Sequence, residues 1–130
     1  MMEMKIHFPG GKQVDAVYNG FTIHTDQPVG DGGNGSGPTP FDLLLASLGT
    51  CSGFFVASFC QSRSLPTDNI HLTLRVSADE KTHLMKTVDI DIVLPPDFPE
   101  RYRSAVVRAA EMCMVKQTFA NPPVITFRAV

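Results

Sequence analysis

Residues 41–60, FDLLLASLGTCSGFFVASFC, form twenty consecutive positions with a single charge, Asp42. A helix apolar almost all round has no face to give to water, so it needs a cover on every side. The length would cross a bilayer, and Gly49-x-x-x-Gly53 is the small-residue spacing of packed membrane helices. Three features favour a core helix instead. Ser47, Thr50, Ser52 and Ser58 dilute the hydrophobicity, no aromatic–basic belt flanks the ends, and amphipathic strands elsewhere need a helix to cover. Thr39 is placed to cap this helix, Pro40 suits its first position, and Asp42 stands where a capping box wants an acid.

The flanking segments supply those strands. Met4–Phe8, Gln13–Tyr18 and Phe21–Thr25 read as strands, the last two joined by Asn19-Gly20, a pair that tolerates the positive φ of a tight hairpin turn. Residues 27–38, QPVGDGGNGSGP, read as a mobile loop. Ile70, Leu72, Leu74 and Val76 alternate with polar residues, as do Val88, Ile90, Ile92 and Leu94, with residues 80–84 as the turn between. Pro95-Pro96 stops that strand, and Asp97 with Glu100 predicts a second capping box. Tyr102, Val106, Ala109 and Cys113 then mark one stripe of a second long helix, and Val124–Val130 is expected to close the chain as a strand. The order predicts one α+β domain over residues 1–130, an antiparallel sheet packed on two long helices with the first central and buried. One small sheet hardly covers such a helix, so a homodimer is expected.

Eleven Lys+Arg against thirteen Asp+Glu leave no basic surplus, which argues against a nucleic-acid scaffold. The opening MMEMKIHFPGGK has no apolar run of the secretory kind, and three cysteines are an odd count. The expectation is a cytoplasmic protein without membrane or disulfide framework. Four histidines, His7, His24, His71 and His83, lack ligand spacing, and no CxxC occurs, so no metal is expected. Gly30–Gly35 matches GxGxxG literally, but the helix begins later behind two prolines and no acid follows at the dinucleotide spacing.

The thiols carry the remaining chemistry. Nine positions separate Cys51 from Cys60, which turns them to opposite helix faces and prevents a disulfide between them. Cys60 aligns with Gly49 and Gly53 as a buried filler. Cys51 and Cys113 lie on two helices of one small domain, where both meeting and separate burial are open.

GSGPTPFDLLLASLGTC resembles the signature of the OsmC/Ohr family, proteins of osmotic induction and organic hydroperoxide resistance, and EMCMVKQT resembles its second signature. The resemblance spans roughly residues 14–130. It implies an intertwined homodimer and a thiol peroxidase in which Cys51 is peroxidatic and Cys113 resolving. It requires no bound cofactor, only an external dithiol reductant such as a lipoyl group. The peroxidase branches place a Glu directly after the helix-opening Pro and an Arg in the preceding loop. Here Phe41 follows Pro40, the acid comes at Asp42, and residues 19–50 contain no Arg. Arg63, Arg75 or Arg103 could supply the missing charge to Cys51 by folding nearby. The alternative function is a binding or redox-sensing protein that holds a small apolar ligand at the dimer interface.

Overall fold

A computed structural model describes residues 2–130. The chain falls into two compact units, residues 1–46 and 47–130. In the first, β1 (Lys5–Gly10), β2 (Gln13–Tyr18) and β3 (Phe21–Thr25) form an antiparallel sheet in the order β1-β2-β3. The predicted hairpin is present: Tyr18 pairs with Phe21 across Asn19 and Gly20, whose φ values are +46° and +78°. Only residues tolerant of the left-handed region fit such a turn.

The segment expected to be mobile is organised around one carboxylate. Asp26, 1% exposed, accepts from the backbone N–H groups of Gln27, Asn34 and Ser36 and from the Ser36 hydroxyl. These bonds, the Ser36 hydroxyl first among them, hold its pKa at about 2. Within the glycine run, a Cβ on Gly33 would stand 2.0 Å from the Gln27 carbonyl oxygen. The glycine run therefore lets backbone fold over backbone.

α1 (Pro40–Gln61) begins in the first unit and continues into the second. Its capping box forms as predicted: Asp42 Oδ2 accepts from the Thr39 N–H at 2.9 Å and Thr39 Oγ1 from the Asp42 N–H at 3.2 Å. The helix stops where Ser64 turns left-handed (φ +54°) and the Leu65 N–H returns to the Cys60 carbonyl. Its buried residues are Leu48, Ser52, Val56, Phe59 and Cys60, one stripe at helical spacing. Within the single chain burial is confined to that stripe: Phe41 and Phe54 stay exposed.

β4 (His71–Ala78) and β5 (Met85–Val93) form a separate two-stranded antiparallel sheet, so the strands make two sheets rather than one. Asp79 shapes their connection by accepting from the N–H groups of Lys81 and Thr82. Leu74 packs so near Gly49 that a Cβ there would lie 3.0 Å from its Cδ1. Val56, Phe59, Cys60, Phe98, Val106 and Ala110 form the core of this unit, with the Phe59 and Tyr102 rings edge to face at 5.7 Å.

Three expectations fail at the C-terminal end. The second capping box is absent: Pro99 starts a single 3-10 turn, Glu100–Tyr102, without a side-chain cap. The second long helix is two short ones, α2 (Arg103–Ala110) and α3 (Met114–Ala120), separated by a break before Cys113. Residues 124–130 form no strand and pair with neither sheet, and Phe127 is 94% exposed.

Thr39→Ala should cost about 1 kcal/mol of stability in urea unfolding, the usual worth of a cap. Asp26 ionises more readily folded than unfolded, so its contribution is complete above pH 3.8 and is lost as pH falls toward 2. Acid titration of thermal stability should show a shallower loss over that range in Asp26→Asn than in the parent protein.

Candidate functional site

Three peptide N–H groups at the start of α3 have no partner within the helix, as at any helix N-terminus. In this protein a sulfur atom takes one of them. Cys113 is the N-cap of α3, with φ −51° and ψ 118°, and its Sγ accepts from the Lys116 N–H at 3.3 Å. The backbone N–H groups of Val115 and Met114 lower the pKa of Cys51 on α1. The Cys113 thiol is near enough to Cys51 to lower its pKa, and it approaches the Leu48 carbonyl at 3.8 Å. The structure therefore brings the two predicted thiols together and leaves all three cysteines reduced.

Their surroundings differ. Cys113 is fully buried, whereas Cys51 is partly exposed. The Val115 N–H lowers the Cys51 pKa most, followed by the Cys113 thiol and the Met114 N–H, against an opposing effect of burial. Cys60 behaves as expected of a filler: it is fully buried, and burial pushes its thiol up despite the Arg63 charge.

The anticipated cation does not appear among the groups acting on Cys51. Arg63 lies over the Phe59 ring, 3.7 Å from its centroid, and donates to the Phe59 carbonyl. Arg75 pairs with Asp91, and Arg103 with Glu100 at 2.9 Å. Asp42 is occupied in the cap of α1. Backbone amides thus do the electrostatic work that a guanidinium was expected to do. The sequence hid this, because Cys113 continues the stripe of Tyr102, Val106 and Ala109, and no Gly or Pro marks the break between α2 and α3.

A second polar constellation lies in the first unit. His24 Nδ1 is 2.6 Å from Asp15 Oδ1, and His24 Nε2 is 3.1 Å from Ser36 Oγ. The alignment resembles a hydrolytic triad, but Ser36 donates its hydroxyl proton to Asp26 at 2.7 Å. A serine whose proton is held by an ionised carboxylate is a loop fastener, and an oxyanion forming beside Asp26 would be repelled. Among the described residues, no group of three or more His, Cys, Asp or Glu side chains could hold a metal ion.

Comparison with known proteins agrees with this arrangement of elements. Residues 32–128 match the family described as OsmC-like protein. The fold is similar to that of an osmotic stress induced and detoxification response protein from Psychrobacter arcticus 273-4, at 20% identity and a TM-score of 0.77 over 91% of this chain and 88% of that one. It is also similar to an OsmC-like protein from Mycoplasma pneumoniae, at 12% identity and TM-score 0.71 over 94% and 89% of the two chains. The organic hydroperoxide resistance protein OhrB of Bacillus subtilis follows at 20% identity and TM-score 0.55, over 92% of each chain. No curated protein sequence matches the chain closely enough to add to these.

With its pKa lowered, Cys51 should be alkylated by iodoacetamide with a pH midpoint below the ordinary thiol value of 9.0, while Cys60 should react only after unfolding. The sign for stability follows from linkage. A thiol more acidic folded than unfolded contributes stability above its unfolded pKa and loses it as pH falls through the folded one. Mass-resolved alkylation from pH 6 to pH 10, about the range a perturbed thiol spans, gives both midpoints. A Cys51 midpoint at or above that of free cysteine would contradict the assignment of these amides.

Proposed function

The chain belongs to the OsmC-like protein family, and from that premise we propose that it is a cysteine-based peroxidase that reduces organic hydroperoxides, with Cys51 peroxidatic and Cys113 resolving. Family membership supports a general redox, antioxidant role. The finer reading rests on one observation: a partly exposed thiol of lowered pKa stands beside a second, buried thiol.

The chemistry follows from that pair. The Cys51 thiolate attacks the terminal oxygen of R–O–OH, the O–O bond breaks, and the alkoxide takes a proton to leave as an alcohol. Cys51 is left as a sulfenic acid. The Cys113 sulfur then attacks that sulfur, water leaves, and a Cys51–Cys113 disulfide remains. An external dithiol reduces it and is itself oxidised to a disulfide. The influence of the Cys113 thiol on the Cys51 pKa supports the pairing of these two sulfurs. The N–H groups of Val115 and Met114 favour the thiolate before attack and, being fixed backbone dipoles, require no rearrangement during it.

Homodimerisation belongs to the same proposal. Phe54 on α1 and Val124, Ile125 and Phe127 near the C-terminus are exposed in the single chain. A second copy would remove this apolar surface from water.

The protein supplied with dihydrolipoamide should consume cumene hydroperoxide, and Cys51→Ser should abolish turnover. Cys113→Ser should still allow one reduction per Cys51 but block recycling through the disulfide. After one equivalent of peroxide without reductant, peptide mass analysis should find a Cys51–Cys113 link. Consumption no faster than in a cysteine-free variant would sink the peroxidase reading.

A further inference from the structure

From Glu111 to Ala120 every residue is exposed or half-buried except one, Cys113, which is fully buried. No residue of α3 is buried, and none belongs to the core around Val106. Seven residues are too few for a helix to hold itself in water, and this one has no buried face to hold it. Its placement therefore depends on its buried N-cap.

That residue makes two polar contacts through one sulfur. Sγ accepts from the Lys116 N–H at 3.3 Å, inside the first turn of α3, and its S–H donates to the Leu48 carbonyl at 3.8 Å. Leu48 is itself buried and stands three residues before Cys51, just under one turn of α1. The Cys113 sulfur thus ties the first turn of α3 to the turn of α1 that carries Cys51. Cys60, the other fully buried cysteine, packs within the apolar core instead. A mere filler has no need to touch the backbone of two helices.

We propose that Cys113 is a positioning residue for Cys51: its sulfur, N-cap of α3 and tether to Leu48, holds the first turn of α3 in register with Cys51 and so sets the reactivity of that thiol. The N–H groups of Met114 and Val115, the two residues after the cap, are among the groups that lower the Cys51 pKa, in keeping with this role. The role is separate from attack on a sulfenic acid, because it operates while both thiols are reduced. It rests on the reading of Cys51 as the reactive thiol, but not on peroxide reduction.

The test compares Cys113→Ser with Cys113→Ala in the full chain, all thiols being kept reduced by a phosphine. Two quantities are read: the pH midpoint of Cys51 alkylation by iodoacetamide, and hydrogen exchange at the Lys116 amide. Ser keeps an acceptor at the N-cap and Ala removes it. Cys113→Ala should raise the Cys51 midpoint, slow its alkylation at neutral pH about fivefold and speed Lys116 exchange to a similar extent, the worth of one hydrogen bond. Cys113→Ser should return both toward the parent values. Circular dichroism and continued protection of Cys60 from alkylation verify the fold. Cys113→Val and Cys113→Thr, alike in shape, repeat the comparison where the Ala protein does not fold. Faster exchange with an unchanged Cys51 midpoint would reduce the sulfur to a structural cap and overturn the proposal. A raised midpoint without faster exchange would overturn it too, since direct contact between the thiols would then suffice. So would a Lys116 amide that exchanges in the parent protein as fast as in an unstructured chain. No peroxide enters these measurements, so a parent protein that fails to consume cumene hydroperoxide rejects the peroxidase reading alone.

Discussion

A helix of seven residues has few internal hydrogen bonds, and its first turn leaves peptide N–H groups that must find acceptors elsewhere. In α3 the Lys116 N–H bonds to the sulfur of the N-cap Cys113, while the N–H groups of Val115 and Met114 lower the pKa of Cys51 on α1. A thiol is a weak acceptor and a thiolate a strong one, so the start of the helix and the ionisation of Cys51 are one coupled equilibrium. Anything that holds Met114 and Val115 in helical register also favours the thiolate. Conversely, ionisation of Cys51 strengthens the bonds that let so short a helix begin at that residue.

This arrangement differs in kind from activation by a cation. A guanidinium on a long side chain acts through a charge that salt screens and that rotamer changes can withdraw. Peptide dipoles are fixed by the fold, and they leave the arginines free for structural tasks: Arg63 over Phe59, Arg75 with Asp91 and Arg103 with Glu100. The same amides bear on the proposed redox cycle. They stabilise the reduced, thiolate form more than a neutral disulfide, which accepts hydrogen bonds poorly. A Cys51–Cys113 disulfide formed there would be correspondingly easier to reduce.

Much of the fold was legible wherever the signal was local. The Asn19-Gly20 hairpin needs only two residues with the right φ, and the Thr39–Asp42 box only two side chains three positions apart. The alternation in β5 also survives, with Val88, Ile90 and Ile92 half-buried and their neighbours exposed. What was not legible depended on partners distant in sequence or on competition among them. Asp26 looks like an ordinary loop acid until the chain returns ten residues later to place Ser36 against it. The Cys113 stripe reads as continuous helix because periodicity reports which side is buried, whereas the break depends on where the N–H groups find acceptors. At the candidate site, Cys51 and Cys113 stand in the two segments that resemble family signatures, and the groups that lower the Cys51 pKa most include backbone amides, which no side-chain motif announces.

The long apolar helix, which first suggested a bilayer or a closed core, finds neither within this chain. Its buried stripe runs Leu48, Ser52, Val56, Phe59 and Cys60, while Phe54 and the space beside Gly53 face outward. The C-terminal residues present the complementary difficulty, an exposed apolar segment that joins neither sheet. One cover can resolve both, because a second copy brings an identical exposed face and an identical unpaired segment. That symmetry is what a self-complementary interface requires. Such a cover would lie along the helix that carries Cys51, so the same association would set how far water and peroxide reach the sulfur. Under the proposed homodimer and peroxidase reading, assembly and reactivity are linked through α1, whose hydrophobicity makes it unsuited to stand alone in water.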